Sequence, residues 1–325
     1  MSRQRLPAVR DQALRQRSLV ALVLSAALLA GCATTSNSTF VTSRQEVPPR
    51  QDVKLAAYNV ALGAAVGGLG ALINGDEDPP LRRFARGAGW GAVGGTVAYV
   101  GKWQAGEVAE REQLAYALPA RLVHAAGVSV TENAAHDRPP LDRMAVHRGP
   151  VRVDVRPRSG AVQARVLPVA TLALALLLAD DSADFDLGRS LAFGSPLFMA
   201  DSIEPPLFGE DGRFAGYAFL GSVIIRRQAE GFNYGVTAHE LVHVMQLDEM
   251  ARAEASFRAP LDAPLRAFGA YRGASLWADL DSPALSSLAY FGIEGGVFES
   301  ECYYDNWLER EAEAFGERRP VPTCR

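Results

Sequence analysis

The chain has 325 residues, of which 48% are hydrophobic and 22% charged, and its formal net charge is -4. This composition belongs to a folded protein with one or two hydrophobic cores and excludes a chain that is disordered throughout. The acidic balance, without a block of clustered Lys and Arg, excludes nucleic acid as the expected partner, because binding phosphates needs concentrated positive charge.

Arg3, Arg5, Arg10, Arg15 and Arg17 precede a continuous apolar run over residues 18–30, which stops at Leu29, Ala30, Gly31 and Cys32. The run is too short to span a bilayer comfortably as a mature helix. Its arrangement resembles a bacterial lipoprotein signal. The resemblance implies that residues 1–31 are removed and that Cys32 is lipidated; each buried acyl methylene contributes about 0.8 kcal/mol to anchoring. Ala33 stands where Asp would suggest inner-membrane retention, so the implied location is the cell envelope, on the outer membrane facing the periplasm. An ordinary signal that happens to contain a Cys is the alternative. With Cys32 lipidated, Cys302 and Cys324 remain as an even pair in an oxidising compartment, and they are expected to form a disulfide. Closing that loop would contribute roughly 3 kcal/mol in the chain-entropy picture.

Residues 32–52 are polar, with a Thr- and Ser-rich run and Pro48-Pro49, and read as a linker. Residues 53–103 hold two glycine-rich apolar stretches, 55–73 and 87–100, joined by a turn rich in Asp, Gly and Pro. Gly63, Gly67 and Ala71 recur at four-residue spacing in the first, and Gly87, Gly91 and Gly95 in the second. Such spacing puts small side chains on one helical face and lets two backbones approach closely. The pair resembles the glycine-zipper hairpins of bacterial envelope proteins, which implies a membrane hairpin; a glycine-rich pair packed on a soluble domain is the alternative. Trp90, Tyr99 and Trp103 suit an interface or a core.

Residues 104–325 are expected to form the main domain. Residues 103–124 read as one helix. Residues 151–156 alternate strictly, as do Val162, Ala164 and Val166, so both read as half-buried strands. Residues 172–179 are an apolar run that periodicity does not assign, and 187–199 and 217–227 read as further strands. The span 150–227 is therefore expected to be a β-rich layer. Residues 232–257 switch to helical spacing, and 305–316 form another helical segment.

His239 and His243 stand four apart, so on a helix both imidazoles leave one face and can bind one metal ion. Glu240 projects beside them and can take a proton from a water whose pKa the metal has lowered. Leu241, Val242, Val244 and Met245 keep the segment apolar, with no proline to interrupt it. These residues resemble the zincin signature, and the segment is similar to the active helix of thermolysin-like peptidases. No His follows His243, so the extended metzincin pattern is excluded and a carboxylate must complete the set. The segment from Asn306 to Gly316 resembles the second motif of gluzincins, especially integral-membrane prenyl-protein peptidases. That resemblance implies Glu309 as the third ligand, with Glu313 as the second candidate. It places Glu313 where the family has an Asp, in position to accept a hydrogen bond from His239. Glu311 points elsewhere on that helix. Tyr271, Tyr290, Tyr303 and Tyr304 are candidate oxyanion donors among which the sequence does not choose.

The expectation is an α+β protein: a zincin-like metallopeptidase domain with a β-rich layer, preceded by a glycine-rich helical hairpin. It would bind Zn²⁺ through His239, His243 and Glu309, use Glu240 as the catalytic base, and cleave a peptide or protein substrate. The competing readings are an envelope lipoprotein with a structural zinc and a degenerate peptidase fold that binds peptides without cutting them.

Overall fold

The four-residue glycine spacing has a direct structural consequence. In the computed structural model, which describes residues 49–179, 182–203, 215–229, 231–262, 264–278 and 307–317, helices α1 (Pro49–Asn74) and α2 (Pro80–Glu110) run antiparallel with their backbones in contact. A Cβ added at Gly63 would lie 2.2 Å from the Gly91 carbonyl oxygen, and one at Gly67 would lie 2.4 Å from that of Gly87. A Cβ at Gly95 would lie 2.2 Å from the Asn59 carbonyl oxygen. No side chain fits at these crossings. The second face of α2 repeats the device against α3 (Ala117–Ala135), where a Cβ at Gly101 would meet the His124 backbone nitrogen at 2.4 Å.

Helix α2 is longer than expected. It begins at Pro80, whose fixed φ suits the first helical turn, and so takes in Arg82, Arg83 and Arg86, which lie between the two expected stretches. It runs on through residue 103, the expected end of the hairpin. The single helix expected over 103–124 is instead two, because Glu112 adopts a φ of 51° and a 3-10 turn (Leu114–Tyr116) redirects the chain into α3. Among the described residues only α1, over Val53–Asn74, is long and apolar enough to cross a bilayer, with a mean hydropathy of 1.6.

Strands β1 (Met144–Arg148), β2 (Val151–Arg156) and β3 (Ala161–Val166) form an antiparallel sheet in that order. The alternation in β2 is as expected, but the more deeply buried face is the charged one: Arg152 and Asp154 are buried, while Val151, Val153 and Val155 are half-buried. The cause lies in the neighbouring helix. Glu132 of α3 accepts from Arg152 Nη2 at 2.8 Å, and Asp154 accepts from Arg143 Nε at 2.7 Å and Arg165 Nη2 at 2.8 Å. The unassigned apolar run is helix α4 (Pro168–Ala179).

A second sheet contains β4 (Ala183–Phe185), β5 (Leu197–Ala200), β6 (Gly216–Phe219) and β7 (Ser222–Arg226), in the order β4-β5-β7-β6. Strands β5 and β7 are parallel and the other pairs antiparallel. The strand expected over 187–199 is mostly helix α5 (Leu187–Phe193). Asp186 caps it by accepting from the Arg189 amide at 2.8 Å, and Gly194 ends it at a φ of 82°. The strand expected over 217–227 is a hairpin, because Leu220 and Gly221 both have positive φ, 47° and 84°, as a tight two-residue turn requires. The span 150–227 is thus two sheets separated by helices.

Helix α6 (Tyr234–Asp262) starts where Asn233 Oδ1 accepts from the Val236 amide at 3.0 Å. Helix α7 (Gly269–Ala274) follows a 3-10 turn, and α8 (Trp307–Ala312) leads into one π-helical turn, Glu313–Glu317. The core lies between α6 and the four-stranded sheet, where Leu241 and Met245 pack with Phe193, Val223, Ile225 and Phe315, all of them buried. The molecule is therefore of mixed α+β type. Cys32, Cys302, Cys324, Tyr290, Tyr303, Tyr304 and the signal segment lie outside the described residues, as does nearly all of the linker.

Two outcomes follow from this packing. Gly91→Ala would put its methyl 2.1 Å from the Gly63 carbonyl oxygen, whereas Gly89 faces open space. Gly91→Ala should lower stability in thermal denaturation by about 1–3 kcal/mol or more, and Gly89→Ala should raise it by up to about 1 kcal/mol. Burial alone would raise the carboxyl of Asp248. His147 and the guanidinium groups of Arg121 and Arg252 outweigh burial and hold it at about 2. Arginine neighbours likewise hold Glu132 and Asp154 far below the usual carboxylate range against their burial. A carboxyl depressed in the folded state stabilises above its unfolded pKa and loses that contribution as pH falls through the folded value. Circular dichroism should therefore show the fold holding to about pH 4 and failing between about pH 4 and pH 2.

Candidate metal centre

Helix α6 carries His239, Glu240 and His243 into the interior, and α8 brings Glu309 to meet them. His239 Nε2 and His243 Nε2 are 3.0 Å apart. Glu309 Oε2 lies 3.2 Å from the first nitrogen and Oε1 lies 3.4 Å from the second. All three side chains are buried. Their donor atoms lie within 4.8 Å of one another and can hold a metal ion. The expected ligand set is therefore brought together from two elements 66 residues apart in sequence.

The donor chemistry fits a divalent ion. Tetrahedral bonds of about 2.0–2.1 Å to nitrogen and oxygen place neighbouring ligand atoms roughly 3.3 Å apart; the two histidine nitrogens are 3.0 Å apart, and Glu309 offers a separate oxygen to each, at 3.2 and 3.4 Å. Three protein donors leave a fourth position for water or substrate. Beside them Glu240 is 5% exposed, and its Oε2 atom is buried with no hydrogen-bond partner among the described residues.

The charges agree with the geometry. Burial alone would lower both imidazoles, but Glu309 beside each, and Glu313 beside His239, outweigh it; His239 is raised well above its ordinary value and His243 to about 9. Burial would raise Glu309, and the two imidazoles hold it well below the carboxylate range instead. Burial raises Glu240 above its usual value although both histidines pull it down.

Glu313 Oε2 lies 3.6 Å from His239 Nδ1, beside the expected atom but beyond hydrogen-bond length. Glu311 turns away from the ligands, as its position on the helix implies, and is 1% exposed. Tyr271 is half-buried on α7. Gln246 escaped the sequence reading although it follows His243 at the three-residue spacing that shares a helical face; its Oε1 is 2.9 Å from His243 Nδ1. The place of strand β6 beside Glu240 also escaped, although a strand was expected over most of it. Its Ala218 amide is directed at the Glu240 carboxyl, and a Cβ at Gly216 would meet Glu240 Cγ and Oε1 at 2.9 Å, so the glycine makes room for that side chain.

Comparison of the chain with protein-family models, curated proteins and solved structures finds no significant match in any of the three.

The π-helical turn presses its backbone onto α6: a Cβ at Gly316 would lie 2.5 Å from both Cα and N of His239. Gly316→Ala should push that turn, and Glu309 and Glu313 with it, away from the histidines. Elemental analysis should find one metal ion per chain in the wild-type protein. It should find none in His239→Ala or Glu309→Ala, and a markedly reduced content in Gly316→Ala.

Proposed function

We propose that the protein is a zinc-dependent hydrolase of peptide bonds with a zincin-like site, held in the cell envelope by lipid on Cys32. The observation that carries this reading is the triangle of His239, His243 and Glu309 donors beside the unpartnered Oε2 of Glu240. The resemblance of the two motifs to gluzincins supports the choice of zinc, and the lipobox-like Leu29-Ala30-Gly31-Cys32 supports the location.

Zinc bound there supplies Lewis acidity that lowers the pKa of water towards neutrality. Glu240 would act as the base and then the acid, taking a proton from the attacking water at Oε2 and giving it to the amine that leaves as the peptide C–N bond breaks. Its burial favours this work, because a carboxylate whose pKa is raised is the stronger base. Strand β6 favours a peptide as substrate. Among the described residues it pairs with β7 alone, and Gly216 and the Ala218 amide lie against Glu240. An extended peptide added along the edge away from β7 as a further strand would carry its carbonyl past Glu240.

Glu240→Gln should keep one zinc per chain and lose about 10²–10⁴-fold in turnover of a quenched-fluorescent peptide library by the full-length chain in detergent. Undiminished turnover in that variant would rule out the mechanism. Stoichiometric zinc without hydrolysis of any peptide by the wild type would favour a structural zinc or a peptide-binding fold.

A further inference from the structure

Gln246 stands between a proposed ligand and a buried ionic cluster. Its Nε2 donates to Glu311 Oε2 at 2.8 Å and to the Leu308 carbonyl at 3.0 Å. Glu311 also accepts from Lys102 Nζ at 2.9 Å and from Asn59 Nδ2 at 2.7 Å, and Lys102 is fully buried. Asn59 belongs to α1 and Lys102 to α2, so the cluster joins the glycine-packed hairpin to the metal-site helices.

We infer that Glu311, held by Lys102 and Asn59, acts through Gln246 as a positioning residue that fixes which nitrogen of His243 faces the metal. The argument is one of polarity. An ionised carboxylate and a carbonyl only accept, so both turn the NH₂ end of the Gln246 amide towards themselves. The amide oxygen is then left facing His243, 2.9 Å from Nδ1. Only a protonated Nδ1 satisfies that oxygen. The lone pair is thereby assigned to Nε2, the atom that faces His239 Nε2 and Glu309. Without Glu311 the amide could reverse, offer N–H to Nδ1, and favour the tautomer whose Nε2 carries a proton and binds no metal.

This inference rests on the proposed metal site, and the test separates the two. In the full-length chain, zinc affinity by chelator competition and the visible spectrum of the cobalt-substituted protein are compared for wild type, Glu311→Gln, Gln246→Leu and the exchange Gln246→Glu with Glu311→Gln. In the exchange Glu at 246 accepts from both His243 and the new Gln at 311, but it no longer donates to the Leu308 carbonyl. Each single variant should bind zinc about 10–100-fold more weakly and shift the cobalt bands; the exchange should recover part of the affinity and move the bands back towards the wild-type spectrum. Single variants that match wild type in both readouts would overturn the inference and leave the metal site standing; where the exchange recovers nothing, the nitrogen-15 measurement decides. A wild-type chain that binds neither ion would overturn both. Should the variants not fold, nitrogen-15 NMR of the zinc-loaded wild type decides: a proton on His243 Nδ1 supports the inference, and metal at Nδ1 overturns it.

Discussion

Helix α6 is surrounded by other elements and yet carries polar groups around its circumference. His239, Glu240, His243, Gln246 and Arg252 are buried, with Asp248 and Glu249 only slightly open. A buried polar group without a partner costs about 1–3 kcal/mol, and more when charged. Each neighbour of α6 therefore has to supply a matching group, and this requirement organises the molecule. Helix α8 supplies Glu309 and Glu311, and the turn after it supplies Glu313. Helix α3 supplies Arg121, His124 and Ser129; β1 supplies His147 and the Ala145 carbonyl; α2 supplies Lys102. The charged inner face of β2 extends the same network, as Arg152 and Arg252 both approach Glu132.

The glycine crossings gain a purpose in this setting. Lys102 reaches Glu249 and Glu311 while fully buried, and its ammonium needs all three of its protons accepted: by Glu249, Glu311 and Asn59. Asn59 comes from α1, whose own carbonyl at that residue lies against Gly95. Larger side chains at the crossings would move α1 outwards and withdraw Asn59 from both Lys102 and Glu311. Close helix approach in the hairpin is thus one of the conditions for a satisfied cluster beside the metal site. The glycine-packed hairpin and the polar interior beside it are parts of one arrangement.

The sequence made the candidate metal-binding group legible because its chemistry is local. A four-residue histidine spacing on a helix fixes the geometry of two donors, and the second motif supplied Glu309. The glycine faces were legible for a similar reason, since four-residue spacing and helical geometry determine which residues touch. Misreadings occurred where tertiary partners decide the outcome. The alternation in β2 showed a strand but not which face is buried, because that depends on Glu132 and Arg143, which are distant in the pattern. Residues 187–199 were misread for a local reason instead: an Asp186 cap precedes them and Gly194 stops the helix, and these outweighed an apolar composition that suggested a strand. Gln246 and Lys102 carried no signal by themselves. A lone glutamine or lysine near an apolar segment resembles a surface residue until the fold places its partners.

The charge balance at the site bears on why a metal suits it. Glu240, Glu309 and Glu313 converge on two imidazoles in a buried region. With both imidazoles neutral, three carboxyl groups would share a region poorly screened by water, an arrangement whose repulsion is severe at low dielectric. The raised pKa values of His239 and His243 show that the surroundings favour positive charge at this point. Two protons supply two positive charges, and so does one divalent cation, which also uses both nitrogen lone pairs and the Glu309 oxygens together. Metal binding and double protonation are therefore alternative ways of meeting one electrostatic demand, and they exclude each other at the same nitrogens. Glu240 differs from the other carboxyls because Oε2 has no hydrogen-bond partner among the described residues. Its neighbours stabilise a positive centre, and Glu240 is left with a free acceptor beside it. Burial thus divides the roles of three acids between holding positive charge and leaving one acceptor open, as the proposed hydrolytic function would use them.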